Sequence, residues 1–94
     1  MRYDHQAGWK RPYLEAMGPR LTEVRLARGL SRRRLAALSG VDPTQIAYIE
    51  WGRHAPRRAT LAPIAAALGM DGATLAAVLT GSIPDPLTVP VVTP

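Results

Sequence analysis

The side chains of this chain best suited to acting on a partner are cations and hydrogen-bonding groups, and their order is informative. Arg32, Arg33 and Arg34 follow directly on Ser31, a residue type that caps helices, so three positive charges crowd one helix N-terminus. There they oppose the helix macrodipole, each at a cost of about 0.3–1 kcal/mol at low salt. A helix shaped by stability alone avoids that arrangement, so the triplet points to a polyanionic partner. Thr44, Gln45 and Tyr48 come next, behind the helix-starting pair Asp42 and Pro43. Glutamine can bond an adenine edge through two hydrogen bonds, a threonine methyl can pack on a thymine methyl, and the tyrosine one turn on can reach a base or a phosphate. Arg53, His54 and Arg57 then follow Gly52. His54 has no nucleophile or carboxylate spaced to make it a catalytic base.

Composition narrows the chemistry further. The chain has 94 residues, 12 Lys plus Arg against 7 Asp plus Glu, a net charge of +5 and no cysteine. Such a length builds one compact domain with a modest core. Without cysteine there is no disulfide framework, thiolate metal site or cysteine nucleophile, and His5 and His54 alone do not make a zinc centre. No metal site or cofactor is expected. An enzyme is not expected either, for no phosphate loop, triad or paired carboxylate is present. Residues Met1 to Lys10 mix charges and aromatics, unlike a signal peptide, and with the absence of cysteine they suggest a cytoplasmic protein. No membrane association is expected, because the most apolar stretch, Ala59 to Val78, is broken at Gly69, Asp71 and Gly72, short of the ~20 residues a bilayer needs.

The charge is unevenly placed. Nine arginines lie between positions 20 and 58, against Glu23, Asp42 and Glu50, whereas Ala59 to Pro94 carries no base and only Asp71 and Asp85. One half of the chain is thus suited to nucleic acid, the other to a core or a protein partner.

Start and stop signals place five short helices between residues 19 and 81, an all-α reading. Pro19 suits a first helical position, Leu21, Val24 and Leu26 give an apolar stripe, and Gly29 ends the helix. Ser31 caps a second helix with Leu35, Ala36 and Leu38 inward, closed by Gly40. Asp42 and Pro43 open a third, stopped at Gly52, in which Ile46 and Ile49 face inward and Pro43, Thr44, Gln45, Ala47 and Tyr48 outward. Thr60 is expected to cap a fourth helix, because a start there keeps Pro63 within the first turn. Asp71 caps a fifth, through Leu75, Val78 and Leu79. This divides the chain into an N-terminal arm (1–18), a helical domain (19–81) and a tail (82–94) whose four prolines after Ser82 keep it extended. In the arm, Tyr3, Trp9, Lys10, Arg11 and Tyr13 interleave rings and bases, which suits either a flexible segment that orders on a nucleic acid or one that packs back on helix five.

Two helices joined by a tight glycine turn make a helix-turn-helix. The run from Leu30 to Arg53 resembles the Cro/C1-type (XRE family) domain of phage repressors and bacterial regulators. The resemblance rests on Leu35-Ala36, Gly40-Val41 in the turn, Ile46, and the ending Ile49-Glu50 followed by Gly52-Arg53. Leu21, Val24 and Arg25 upstream, with Pro56 and Leu61 to Gly69 downstream, extend it over about two thirds of the chain. It implies a compact five-helix, lambda-repressor-like domain. It also implies that Arg25 and Glu50 form a structural ion pair. Arg32 stands where the family usually has a glutamine touching the DNA backbone, and Arg33, Arg34, Arg53, His54 and Arg57 are expected at the backbone as well. Thr44, Gln45 and Tyr48 are the expected base readers. Pro43 and Ala47 depart from the pattern, since neither can bond a base. Trp51 replaces a small polar residue and is expected to cover the end of helix three, with stacking beside sugar and phosphate as the alternative.

The function this implies is a sequence-specific DNA-binding transcriptional regulator, repressor-like and homodimeric, reading the major groove of double-stranded DNA with helix 43–51. Dimer contacts are expected from the uncharged part, namely Ala73, Leu75, Ala76, Leu79 and the tail. The alternative is an adaptor or antitoxin of the same fold that holds a protein partner through residues 83–94, where Leu87 to Val92 could add a strand to a sheet edge.

Overall fold

Residues 16–87 are described by a computed structural model, and among them there are five helices and no strand. Helix α1 covers residues 16–27, α2 Arg32–Ser39, α3 Pro43–Glu50, α4 Arg58–Ala67 and α5 Gly72–Leu79. The aromatic and basic positions expected to form an arm, and residues 88–94 of the tail, lie outside the described residues.

Local chemistry sets most of the helix starts. Ser31 Oγ accepts the Arg34 N–H at 3.0 Å, Asp42 Oδ1 the Thr44 N–H at 2.7 Å, and Asp71 Oδ1 the Thr74 N–H at 2.7 Å. Each satisfies a backbone donor that the first helical turn leaves open. At the end of α2, Gly40 adopts a left-handed φ of 76° while its N–H bonds Ala36 O at 2.8 Å. That reversal lets α3 begin with only Val41 and the cap Asp42 between them. The core beneath is aliphatic: Leu21, Leu35, Ile46, Ile64, Leu75 and Leu79 are fully buried.

Several expectations are corrected. Helix α1 is already formed at residue 16, so Pro19 is not its first residue, and Met17 and Gly18 are buried. Leu26 is 59% exposed and Leu38 51%. At about 100° per residue, Met17, Leu21, Val24 and Arg28 align and leave Leu26 behind them, and the buried Leu35 and Ala36 leave Leu38 to one side. Ala47 faces inward beside Ile46 and Glu50 and is buried, so it does not belong to the outward face of α3. Helix α4 starts at Arg58 after Arg57, not at Thr60, with Pro63 inside it. The earlier start gives up one backbone bond at Pro63 but satisfies the Thr60 and Leu61 N–H groups, which donate to Arg57 O at 3.0 and 2.8 Å. Leu75 and Leu79 are wholly committed to the core and are not available as dimer contacts. No single helix among the described residues is long and apolar enough to cross a membrane; α4 and α5 together reach that composition but are bent by 98°.

Polar contacts at both ends of α1 hold the bundle. Arg20 Nη1 donates to Leu79 O at 3.1 Å and Arg28 Nε to Leu68 O at 2.6 Å, so an arginine of α1 and one just past its end cap the C-terminal ends of α5 and α4. Arg28 also grips Asp85 through two hydrogen bonds, at 2.7 and 2.9 Å. The described part of the tail is non-helical, as expected, yet Asp85 is buried and tied down.

Between α1 and α3 lies the contact that orients the third helix. Arg25 Nε donates to Glu50 Oε2 at 2.7 Å and Nη2 to Oε1 at 3.1 Å, while Nη1 donates to Leu30 O at 2.8 Å in the α1–α2 link. Arg32 Nε adds a third bond to the same carboxylate, reaching Oε1 at 2.8 Å. Burial alone pushes the Glu50 carboxyl up, but the hydrogen bonds from Arg25 and Arg32, the Arg25 charge and a hydrogen bond from Thr22 outweigh it and hold it below its ordinary value. Gly18 packs on the same spot from α1: a Cβ there overlaps Glu50 O and lies 2.9 Å from Ile49 O.

Two outcomes follow for stability. Gly18→Ala must push α1 away from the end of α3, and it lowers stability in a thermal melt by about 1–3 kcal/mol. The depressed Glu50 value means that its contribution is whole above pH 4.5, the ordinary value, and is lost as the pH falls through the lower folded value. Melts across that acid range therefore show falling stability. Glu50→Gln flattens this dependence while costing about 3–5 kcal/mol at neutral pH, because Arg25 is left buried without its counter-charge.

Candidate nucleic-acid interface

The outward face of α3 follows from its inward one. With Ile46, Ala47, Ile49 and Glu50 buried, Thr44, Gln45 and Tyr48 fall within an arc of about 100° on the opposite side, all exposed. Pro43 is exposed at the start of the helix. The three side chains border an open cleft of about 820 Å³ whose far wall is made by His54, Arg57 and Thr60, between the loop after α3 and the start of α4. The structure thus brings together Thr44, Gln45, Tyr48, His54 and Arg57.

The arginines separate into two groups. Arg33, Arg34, Arg53 and Arg57 are exposed, and no acid shares the first turn of α2 or of α4. Among the described residues Arg33, Arg34 and Arg57 have no charged partner. Arg32 stands between the groups: its Nε is bound to Glu50, yet its side chain remains 39% exposed. Arg25 is buried against Glu50 and has no outward surface to offer a ligand.

The end of α3 carries an aromatic cluster. Trp51 is its C-cap and is 56% exposed, so it is not a plug for the core. Its ring lies 6.0 Å from that of Tyr48, which in turn lies 5.4 Å from His54. Arg32 Cζ stands 5.5 Å from the Trp51 centroid and Arg53 Cζ 5.9 Å from that of Tyr48, both within cation–π range. Two features here are absent from the sequence reading: the bond from Arg32 to Glu50, and the pairing of Trp51 with Tyr48 and Arg32. The three-residue step from Tyr48 to Trp51, which brings helical side chains together, is the one signal that points to the second. Among the described residues no cluster of three or more His, Asp or Glu could hold a metal ion.

An interface with these parts, an exposed helix face beside an open cleft with exposed cations around it, fits a polyanion with readable edges. The comparisons agree with that geometry. A family model described as a helix-turn-helix domain matches residues 16–84, reaching back to the start of the described α1 and forward to the segment that carries Asp85. No curated protein matches the chain. Among solved structures, the clp gene regulator ClgR from Corynebacterium glutamicum is similar at 33% sequence identity and a TM-score of 0.64, over 74% of this chain and 74% of that one. Helices α2 and α3, with Gly40 at their turn and α3 turned outward, are the two helices from which the family takes its name, and the chain belongs to the helix-turn-helix domain family.

Proposed function

We propose that this chain is a sequence-specific DNA-binding transcriptional regulator that inserts α3 into the major groove and represses as a homodimer. The observation that carries the reading is the outward face of α3: Thr44, Gln45 and Tyr48 are all exposed along one arc and share an open cleft with His54 and Arg57, and Arg33, Arg34 and Arg53 are exposed as well. A helix of that width fits a groove about 12 Å across, and flanking cations meet the phosphates on its two edges. Likeness to a gene regulator at 33% identity supports the regulatory part. The protein acts by occupying DNA, not by catalysis.

Base readout rests on Gln45 first, with Thr44 beside it and Tyr48 one turn on. Arg33, Arg34, Arg53, His54 and Arg57 hold the backbone. A single module of this kind buries only about 600–1,000 Å² of its surface on DNA, so tight binding favours two subunits on half-sites about 34 Å apart. With Leu75 and Leu79 in the core, the surface left for pairing is Ala73 and Ala76 on α5 together with exposed Ile83 and Leu87. A dimer neutralising about four phosphates per subunit gives a slope of log K against log salt near −7.

Selection of bound genomic fragments, followed by affinity measurements on the recovered site, tests this reading. Gln45→Ala costs about 1–3 kcal/mol on the selected site and little on random duplex. Arg33→Ala weakens both alike and makes the salt slope shallower by about one. Equal binding of the same sites by Gln45→Ala overturns the assignment of α3. Ultracentrifugation of the protein with its site gives two chains per duplex.

A further inference from the structure

The two large aromatic rings among the described residues, Tyr48 and Trp51, lie on the surface side by side, while the core formed by the described residues holds only aliphatic side chains and Met17. Both rings stand at the end of the helix that faces the candidate interface, and each carries an arginine: Arg32 on Trp51, Arg53 on Tyr48.

The position of Arg32 is the more constrained. Its Nε is anchored to Glu50 Oε1 at 2.8 Å, and its Cζ lies over the Trp51 ring, 5.5 Å from the centroid. Arg25 already supplies a full counter-charge to that carboxylate through two hydrogen bonds, so the trio of two arginines and one glutamate keeps a net positive charge. Arg25 is buried, and the excess charge is therefore presented through Arg32. Of the five N–H donors of Arg32, Nε is engaged, and among the described residues the terminal nitrogens have no hydrogen-bond partner.

We infer that Trp51 is a positioning residue for DNA binding: with Glu50 it holds Arg32 in one orientation, terminal nitrogens outward, ready to clasp a backbone phosphate. This rests on the DNA-binding reading and goes beyond it by assigning Trp51 a role exerted through Arg32. A long side chain held by an anchor at Nε and a ring beneath its Cζ has already given up part of the rotamer freedom that binding otherwise costs. The planar fork suits a phosphate, which takes two parallel N–H bonds. A ring that served only as a cover for the end of α3 has no reason to influence the salt dependence of DNA binding.

The test uses the full chain and a random-sequence 20-base-pair duplex, with affinity followed by fluorescence anisotropy from low to moderate salt. Trp51→Ala weakens binding about five- to tenfold at low salt and makes the slope of log K against log salt shallower by up to about one, the value of one lost phosphate. Arg32→Ala does the same, and the double variant is no weaker than Arg32→Ala, because the two act through one contact. Trp51→Phe keeps a ring under the guanidinium and retains most of the affinity. Thermal melts run alongside separate binding from folding, and Arg32→Lys replaces Arg32→Ala where the latter is unfolded. An unchanged slope in Trp51→Ala, or losses that multiply in the double variant, overturns the role of Trp51 and leaves DNA binding standing. A wild-type chain that binds no duplex at any salt overturns the DNA reading and this inference with it.

Discussion

A carboxylate taken out of water stays ionised only where charge and hydrogen bonds offset the loss of solvent, and in this domain that constraint is met at Glu50. Four pieces of chain converge there. Arg25 comes from α1 and brings the carbonyl of Leu30 with it, Arg32 comes from the first turn of α2, Glu50 ends α3, and Gly18 allows the backbone of α1 to press on the carbonyl of Glu50. Buried ion pairs of this kind add little net stability compared with apolar residues of the same volume, yet leaving one member alone is costly. What the cluster supplies is therefore chiefly geometry. It determines at what angle α3 leaves the bundle and, through Arg32, ties that angle to the N-terminus of α2.

The positive charge of the chain is divided by the same logic. Arg20 and Arg25 on α1, and Arg28 just past its end, turn to carbonyls or carboxylates of the fold, where they close the ends of α5 and α4 and hold α3 and the segment at Asp85. Arg33, Arg34, Arg53 and Arg57 turn outward. Two acids, Glu50 and Asp85, are consumed inside together with Arg25 and Arg28, whereas among the described residues Arg33, Arg34 and Arg57 have no charged partner. Sequence charge alone does not separate the two uses. An arginine on the inward stripe of a helix reads as solvated until the carbonyl it meets is known.

How far the structure was readable follows from the range of each interaction. The caps at Ser31, Asp42 and Asp71 act over two or three residues, and their chemistry is complete within the segment, so the starts of α2, α3 and α5 are visible in the residues themselves. Where a distant partner decides, local rules mislead. Pro63 argues for a late start of α4, but the start at Arg58 lets Arg57 O accept the N–H groups of Thr60 and Leu61, which offsets the one bond lost at Pro63. Gly18 shows no pattern in sequence, because its need for space comes from a carbonyl that arrives from α3. Arg28 and Asp85 are 57 residues apart, and nothing nearby announces their pairing. At the interface, the outward set Thr44, Gln45 and Tyr48 is a consequence of helical phase and was legible. The place of Ala47 was not, because an alanine is compatible with either side of a helix.

Tyr48 and Trp51 bring these strands together. Among the described residues the core holds only aliphatic side chains and Met17. Instead both rings stand where α3 ends, three residues apart, in contact with each other and with one arginine each. The same step of the chain that delivers Glu50 inward delivers Trp51 outward, since neighbouring positions at the end of a helix point about 100° apart. Arg32 spans the two, with Nε on the buried carboxylate and Cζ over the exposed ring. The contact that sets the angle of α3 and the surface that faces a partner are therefore joined by a single side chain, so a force on the guanidinium from outside is felt by the carboxylate within.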